Sequence, residues 1–248
     1  LYRYKMIIKI GVAFSCLFFM GLAAHAQNWG GGVDEDELHY GFTFQYISSE
    51  FKILKIAGWR SPVVDPMEQS QPTDSLNSIH SKPSAGFGIG FVGNKRLTEN
   101  TDLRFTPTLV FSDRTLVYGY AGRDALEKKV NATVVDLPLG LKLKSDRRGN
   151  FRAYMIGGAR YSIDISSRKK TNNDVVTDPV EKFVNNKRTI LSYEAGLGLD
   201  LYFEYFKMSP EVKLSYSVND VLKHEINRYA TPIDKLMLRH LTFSLFFE

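Results

Sequence analysis

The sequence predicts an all-β protein: an eight-stranded antiparallel up-and-down outer-membrane β-barrel with long extracellular loops and short periplasmic turns. Three observations predict it. Large apolar residues alternate with small or polar ones in eight separate runs. The connections between those runs are alternately long and short. Outside the first residues, no stretch is apolar for the ~20 residues that a membrane-spanning helix needs, and a chain that enters lipid without helices must close its strands into a barrel, because hydrocarbon offers no partner to a free backbone group.

The first run, LHYGFTFQYI (38–47), sets Leu38, Tyr40, Phe42, Phe44 and Tyr46 against His39, Gly41, Thr43 and Gln45. Successive side chains of a strand point to opposite faces, so one face is bulky and apolar and the other small and polar. The second run, SAGFGIGFVG (84–93), and the third, DLRFTPTLVFS (102–112), repeat the pattern, the third with Asp102 and Arg104 on the polar side. The fourth, VVDLPLGLKLK (134–144), opposes Val135, Leu137, Leu139, Leu141 and Leu143 to Asp136, Pro138, Gly140, Lys142 and Lys144. In the fifth, FRAYMIGGARYSID (151–164), the parity is less clean, and Arg152, Tyr154, Gly158 and Arg160 are expected to share a face. LSYEAGLGLDL (191–201), MSPEVKLSYSV (208–218) and HLTFSLFFE (240–248) complete the set. A soluble sandwich alternates too.

The connections favour the barrel. Between the runs lie in turn a long segment, the short NKRLTE, the middling DRTLVYGYAGRDALEKKVNA, the tight SDRRGN, the long SSRKKTNNDVVTDPVEKFVNNKR, a brief EYFK and the long NDVLKHEINRYATPIDK. Outer-membrane barrels keep their periplasmic turns short and their outer loops long, and a Greek-key sandwich has no reason to alternate this way. Both termini are then periplasmic. The bulky faces turn to lipid, with Phe42, Phe44, Leu139, Leu199 and Phe243 as lipid-facing positions. Tyr40, Tyr46, Tyr193 and Tyr216 are placed as interfacial anchors. Asp102, Arg104, Asp136, Lys142, Arg152, Arg160, Glu194, Asp200, Glu211 and Lys213 fall on the opposite face, a charge network of mixed sign in the lumen. So small a lumen is filled by side chains, which argues against a diffusive pore.

Residues 1–26 read as a cleaved signal peptide: Arg3, Lys5 and Lys9, then IGVAFSCLFFMGLA, then Ala24, His25 and Ala26 at the cleavage positions. Residues 27–37 read as a periplasmic leader, and 38–248 as the barrel. The one cysteine, Cys16, lies in the signal, so the mature chain is expected to form neither disulfide nor thiolate site. The signal also holds three basic residues and no acidic one, which leaves the mature chain close to neutral, with no nucleic-acid patch.

Candidate chemistry is sparse. Gly88, Gly90 and Gly93 in GIGFVG match the dinucleotide glycine spacing, but another strand follows where that motif needs a helix. His240 and Ser244 share a face of the last run, yet four positions along a strand is about 13 Å, too far for a nucleophile and its base. His39 could neighbour His240 where the barrel closes. The acidic DEDE (34–37) lacks the spacing of a calcium loop, and the basic SSRKKTNND (166–174) is a solvated loop that could meet lipopolysaccharide phosphates. FKILKIAGW (51–59) is expected to extend the barrel wall beyond the membrane, docking on a partner being the alternative, and QSQPTDSLNSIHSKPS (69–84) to be flexible. No cofactor, metal or catalytic residue is expected.

The HYGF opening of the first strand, the block GFGIGFVGNKRLTENTDLRFTPTLVFSDRTLVY (86–118) and VVDLPLGLKLKSDRRGNFRAYMIGGARY (134–161) resemble the PorT/SprT family, outer-membrane proteins of type IX secretion and gliding motility in Bacteroidetes. The resemblance spans most of the mature chain. It implies a non-enzymatic barrel needed for protein export, partnered by the large translocon barrel and associated components. Two other readings compete: an autonomous surface barrel that binds external ligands through its loops, adhesin-like, and a lipid-modifying enzyme.

Overall fold

The structure is a computed structural model that describes residues 37–63, 75–122, 124–130, 132–166 and 184–248. The signal peptide, nearly all of the leader and most of the basic loop lie outside the described residues. Twelve strands follow in chain order: β1 (Leu38–Lys55), β2 (Leu76–Lys82), β3 (Ser84–Thr98), β4 (Thr101–Phe105), β5 (Thr108–Ser112), β6 (Arg114–Tyr120), β7 (Leu126–Val130), β8 (Thr133–Lys144), β9 (Phe151–Asp164), β10 (Thr189–Tyr202), β11 (Lys207–Ser217) and β12 (Ile233–Phe247).

Nine of these form one sheet in the order β1-β12-β11-β10-β9-β8-β4-β3-β5, and β1 also pairs with β3, which closes the ring. β4 and β5 are two halves of one stave, both lying between β3 and β8, so the ring has eight staves. The break falls at Thr106–Pro107, because proline has no N–H for the ladder; the Pro107 carbonyl still accepts from the Phe91 amide at 3.0 Å. Every ladder is antiparallel, and closure removes the free edges that an open sheet would leave.

The register keeps the parity of each run continuous around the ring. Phe42 stands beside Phe91 on β3 and Phe247 on β12, and the Phe42 and Phe247 rings stack 5.2 Å apart. Phe42, Phe44, Leu139, Leu199 and Phe243 are 42–52% exposed on the outer surface. Tyr40, Phe151, Phe203, Tyr205 and Phe206 ring the end with the short turns, while Tyr46, Tyr161 and Tyr193 stand nearer the other end, all exposed. From Tyr193 to Phe203, at ~3.3 Å per residue and a tilt of ~40°, is ~25 Å.

Short turns join β3 to β4, β8 to β9 and β10 to β11 at one end; the Phe203 amide closes the last onto the Phe206 carbonyl at 2.9 Å. At the other end the described residues form more regular structure than the sequence suggests, residues 69–74 of the stretch expected to be flexible lying outside them. β1 does run through Lys55, so FKILK extends the wall. The stretch expected to be flexible instead contains β2, which pairs with β6, and β6 pairs with β7 in a second, three-stranded sheet.

Two glycines let the backbones approach. A Cβ at Gly90 would stand 2.3 Å from the Pro107 carbonyl oxygen, and one at Gly158 would stand 2.2 Å from the Leu139 oxygen and 2.6 Å from the Gly140 Cα. Both neighbours are main chain and cannot move aside cheaply. Gly158→Val is expected to destabilise the barrel by about 1–3 kcal/mol, read as a lower urea midpoint for the detergent-solubilised protein. An unchanged midpoint would contradict the β8–β9 register.

Candidate functional site: a cross-linked interior beneath a folded cap

The polar faces of the staves turn into the ring, where the sequence leaves few alternatives. Each strand that shows a leucine or phenylalanine outward carries its next residue inward, and charged side chains confined there must pair with one another. Asp102, Arg104, Asp136, Lys142, Arg160, Glu194, Asp200, Glu211 and Lys213 are all buried, at 6% exposure or less, and Arg152 is half-buried.

Arg104 on β4 is the centre of the arrangement. Its guanidinium donates to Glu211 on β11 at 2.9 Å, to the Glu248 side chain at 3.2 Å and to the Asn94 amide oxygen at 2.8 Å. The β4 and β11 staves are four apart in a ring of eight, so the Arg104–Glu211 pair crosses the diameter. Tyr154 on β9 donates to the same Glu211 oxygen at 2.9 Å, and Lys207 holds Glu248 at 2.7 Å. Beside this group Lys142 on β8 reaches Asp200 on β10 at 2.7 Å, with the Ser209 hydroxyl donating to that carboxylate at 2.6 Å. Lys144 pairs with Asp102 at 2.6 Å.

Further along, Lys213 lies 3.0 Å from Glu194 and 3.2 Å from Glu211, and Arg160 lies 3.2 Å from Asp136 while also donating to the Ser215 hydroxyl. Arg160 also lies 3.7 Å from Glu194, so Asp136 is linked to Arg104 through Arg160, Glu194, Lys213 and Glu211. The alternation of the fourth run already puts Lys144 on the lumen face beside Lys142, but gives it no partner; sequence reasoning missed Tyr154 as a hydrogen-bond partner, and missed Asn94, Lys207 and Glu248. Lys207 and Glu248 sit at or just beyond the ends of runs, where parity is hard to extend, and Asn94 falls in the segment NKRLTE that the sequence assigns to a short turn.

Several chemical suggestions from the sequence find no support in the geometry. The β1–β12 register puts His240 opposite Ser49, not His39, so the two histidines are not neighbours. His240 and Ser244 are buried, and neither makes a side-chain hydrogen bond among the described residues. Gly88, Gly90 and Gly93 all lie within β3, with β4 following and no helix.

The long-loop end is closed by a hydrophobic core that the sequence did not disclose. Phe51 of β1, Leu76 and Ile79 of β2, Leu116 and Tyr118 of β6, and Leu222, Tyr229, Ile233 and Leu236 from the last connection and β12 pack in one buried cluster. The Tyr118 hydroxyl donates to the Tyr229 carbonyl at 2.9 Å, and burial pushes its phenol above the usual tyrosine range. Asp220 anchors the connection. Its carboxylate accepts the Leu236 amide at 2.8 Å and the Leu222 amide at 3.1 Å, with His224 at 2.9 Å and Lys187 at 3.6 Å. Burial alone would push this carboxyl up, but the two backbone amides, His224 and Lys187 outweigh it and hold it below the ordinary aspartate range.

Two predictions follow from these contacts. Arg104→Met leaves Glu211 and Glu248 short of their shared cation and is expected to cost about 3–5 kcal/mol, measured by urea unfolding; adding Glu211→Gln should recover part of the loss. For Asp220, a depressed folded pKa means that its contribution is complete above the unfolded value of ~3.9 and is lost as pH falls through the folded one. Hydrogen exchange in residues 218–236 should therefore accelerate below about pH 4, and Asp220→Asn should abolish the part of that acceleration due to this group.

Of the comparisons with known proteins, the match to a family model agrees with this architecture. The family model described as outer membrane protein beta-barrel domain matches residues 26–223. Among solved structures the chain is similar to the outer membrane protein OprG from Pseudomonas aeruginosa, with 12% identity, a TM-score of 0.44, and coverage of 85% of this chain and 92% of that one. It is also similar to Ail, the attachment invasion locus protein of Yersinia pestis. The match to Ail in complex with the heparin analogue sucrose octasulfate has 10% identity, a TM-score of 0.38, and coverage of 86% and 99%. The match to Ail alone has a TM-score of 0.33 at 10% identity, and coverage of 86% and 98%. No curated protein matches the chain. With four-fifths of its length matched by the family model and a closed antiparallel ring of eight staves, the chain belongs to the outer membrane protein β-barrel domain family.

Proposed function

We propose that this outer-membrane barrel is non-enzymatic and serves protein export by type IX secretion through contacts with the translocon barrel and associated components. The observation that carries the reading is the interior: ion pairs cross it, and a folded cap covers one end, so the parts free to act are the outer wall and the cap. The resemblance of residues 86–118 and 134–161 to the PorT/SprT family supplies the system. In this reading the termini and short turns face the periplasm and the cap faces outward. Phe42, Phe44, Leu139, Leu199 and Phe243 contact hydrocarbon between the two aromatic girdles, a band of the ~25 Å that barrels of this kind present. Outer-membrane lipid and lipopolysaccharide are then its surroundings, and nucleic acid has no part.

The ordered cap also favours a second reading, an autonomous surface barrel that binds external ligands. Gene deletion separates the two. The export reading expects cargo to accumulate in the periplasm and vanish from the medium, and the barrel to co-purify with secretion components from native outer membrane. Normal cargo release with loss of adhesion alone would favour the second reading.

A further inference from the structure

We infer that a groove in the outer wall, formed where Pro107 interrupts the stave of β4 and β5, holds an acyl chain of one glycerophospholipid whose phosphate sits at Lys95. This goes beyond the export reading and does not depend on it.

The proline makes the groove. Along that stave Phe105 and Leu109 turn outward, and Pro107 takes the outward slot between them. Its ring is compact and tied back to the main chain, so the slot is shallower than a leucine or phenylalanine would leave it. The neighbours do not fill it. Thr106 and Thr108 are buried on the lumen side, and Gly90, the partner of Thr108 on β3, has no side chain to offer. The result is a groove of about 500 Å³, walled by Phe44, Ile89, Phe91, Leu109 and Val135. Its floor includes Thr43, Gly90 and Thr108, and because the two threonine side chains point inward, what they present here is main chain.

The occupant follows from the depth of the groove and from what stands at its end. Phe42 and Phe44 lie between Tyr40 and Tyr46 on β1, level with their β3 partners Phe91 and Ile89, so the groove opens into hydrocarbon. A dent there that no chain entered would forfeit the dispersion contacts of its walls. Toward the short turns, the outward slots of β3 after Phe91 are Gly93 and then Lys95. Gly93 puts nothing over the path, and Tyr40 flanks it, its ring 3.9 Å from where a Cβ would stand. Lys95 is exposed and makes no ion pair among the described residues. It is also the single charge among the described outward slots of β1, β3, β4 and β8 at that end. The nearest exposed acids, Glu37 and Glu99, lie beyond it on the side away from the groove. Four residues separate Phe91 from Lys95, ~13 Å along the strand, comparable to the reach from a lipid phosphate to the upper part of its chains. A lysine at this level extends its stem along apolar surface and its ammonium to the headgroups. Lipid touches every face of a barrel; this face alone joins a recess of that volume to a free cation one headgroup away, among the described residues.

The test uses the full chain in nanodiscs of phosphatidylethanolamine and phosphatidylglycerol, the latter carrying a diazirine in its acyl chains. After irradiation, mass spectrometry of the peptides should find residues 89–91 and 107–109 labelled at least fivefold above 195–199 and 212–214, which lie across the ring. Native mass spectrometry after transfer to detergent should find one phospholipid retained. Val135→Trp, which fills the groove, should remove both signals, and Lys95→Glu should at least halve the retained lipid; the heat-modifiable gel shift shows that each variant is folded. Even labelling around the wall, labelling indifferent to Val135→Trp, or retention indifferent to Lys95→Glu would overturn the inference. So would a photocrosslinker at position 109 that captures a second protein chain in place of lipid.

Discussion

Arg104 leaves one side of the ring and Glu211 the other, and their contact inside the barrel ties staves that share no ladder. An isolated charge in that position would cost several kcal/mol; each is tolerable because the other is there. The constraint spreads from this pair. Glu211 also answers Lys213 and Tyr154, Arg104 also answers Glu248 and Asn94, and Glu248 in turn requires Lys207. A buried ion pair is weak evidence for stability by itself. Its consequence here is geometric: the side chains that neutralise one another also occupy the cross-section.

The two ends of the molecule solve different problems with different chemistry. At the short-turn end the interior is ionic, and tight turns such as Phe203–Phe206 leave no excursion to fold. At the other end the strands outrun the ring, and their inner faces become apolar: Phe51 and Leu238 continue the parity that lower down carries Thr43 and Ser244 inward. An apolar lining above an ionic one needs something to cover it, and the β2–β6–β7 sheet with the last connection does so, Leu222 and Tyr229 being wholly buried. The cap is thus a small soluble-type core carried on a barrel turned inside out.

That difference explains what could be read from the sequence. The ring was legible because a single rule, alternation with period two, operates over every run from Leu38 to Phe247, and because short turns and long connections alternate with it. Even the irregular fifth run keeps Tyr154 and Arg160 on one face with Ile156 between them, and the apolar isoleucine inside is what blurred its pattern. The cap was not legible. β2, LNSIHSK, is mostly polar and sits beside serine- and proline-rich sequence, so its strand depends on pairing with β6 rather than on its own propensity. Leu222 and Tyr229 lie in a connection with no period at all, and their burial is a tertiary event. Within the interior the sequence could assign a face but no partners: that Arg104 meets Glu211, not a nearer carboxylate, depends on ring closure.

The central claim is that bulky faces meet hydrocarbon while charges pair in a filled interior. Spin labels at single introduced cysteines, in a Cys16→Ser background reconstituted in lipid, test it most directly. Labels at positions 42, 44, 139, 199 and 243 should be relaxed by oxygen dissolved in the bilayer and shielded from an aqueous nickel chelate; labels at 45, 108 and 192, on the opposite parity, should be shielded from both. Collision of the second set with lipid-borne oxygen, and immobilisation of the first in a dry core, would contradict the account.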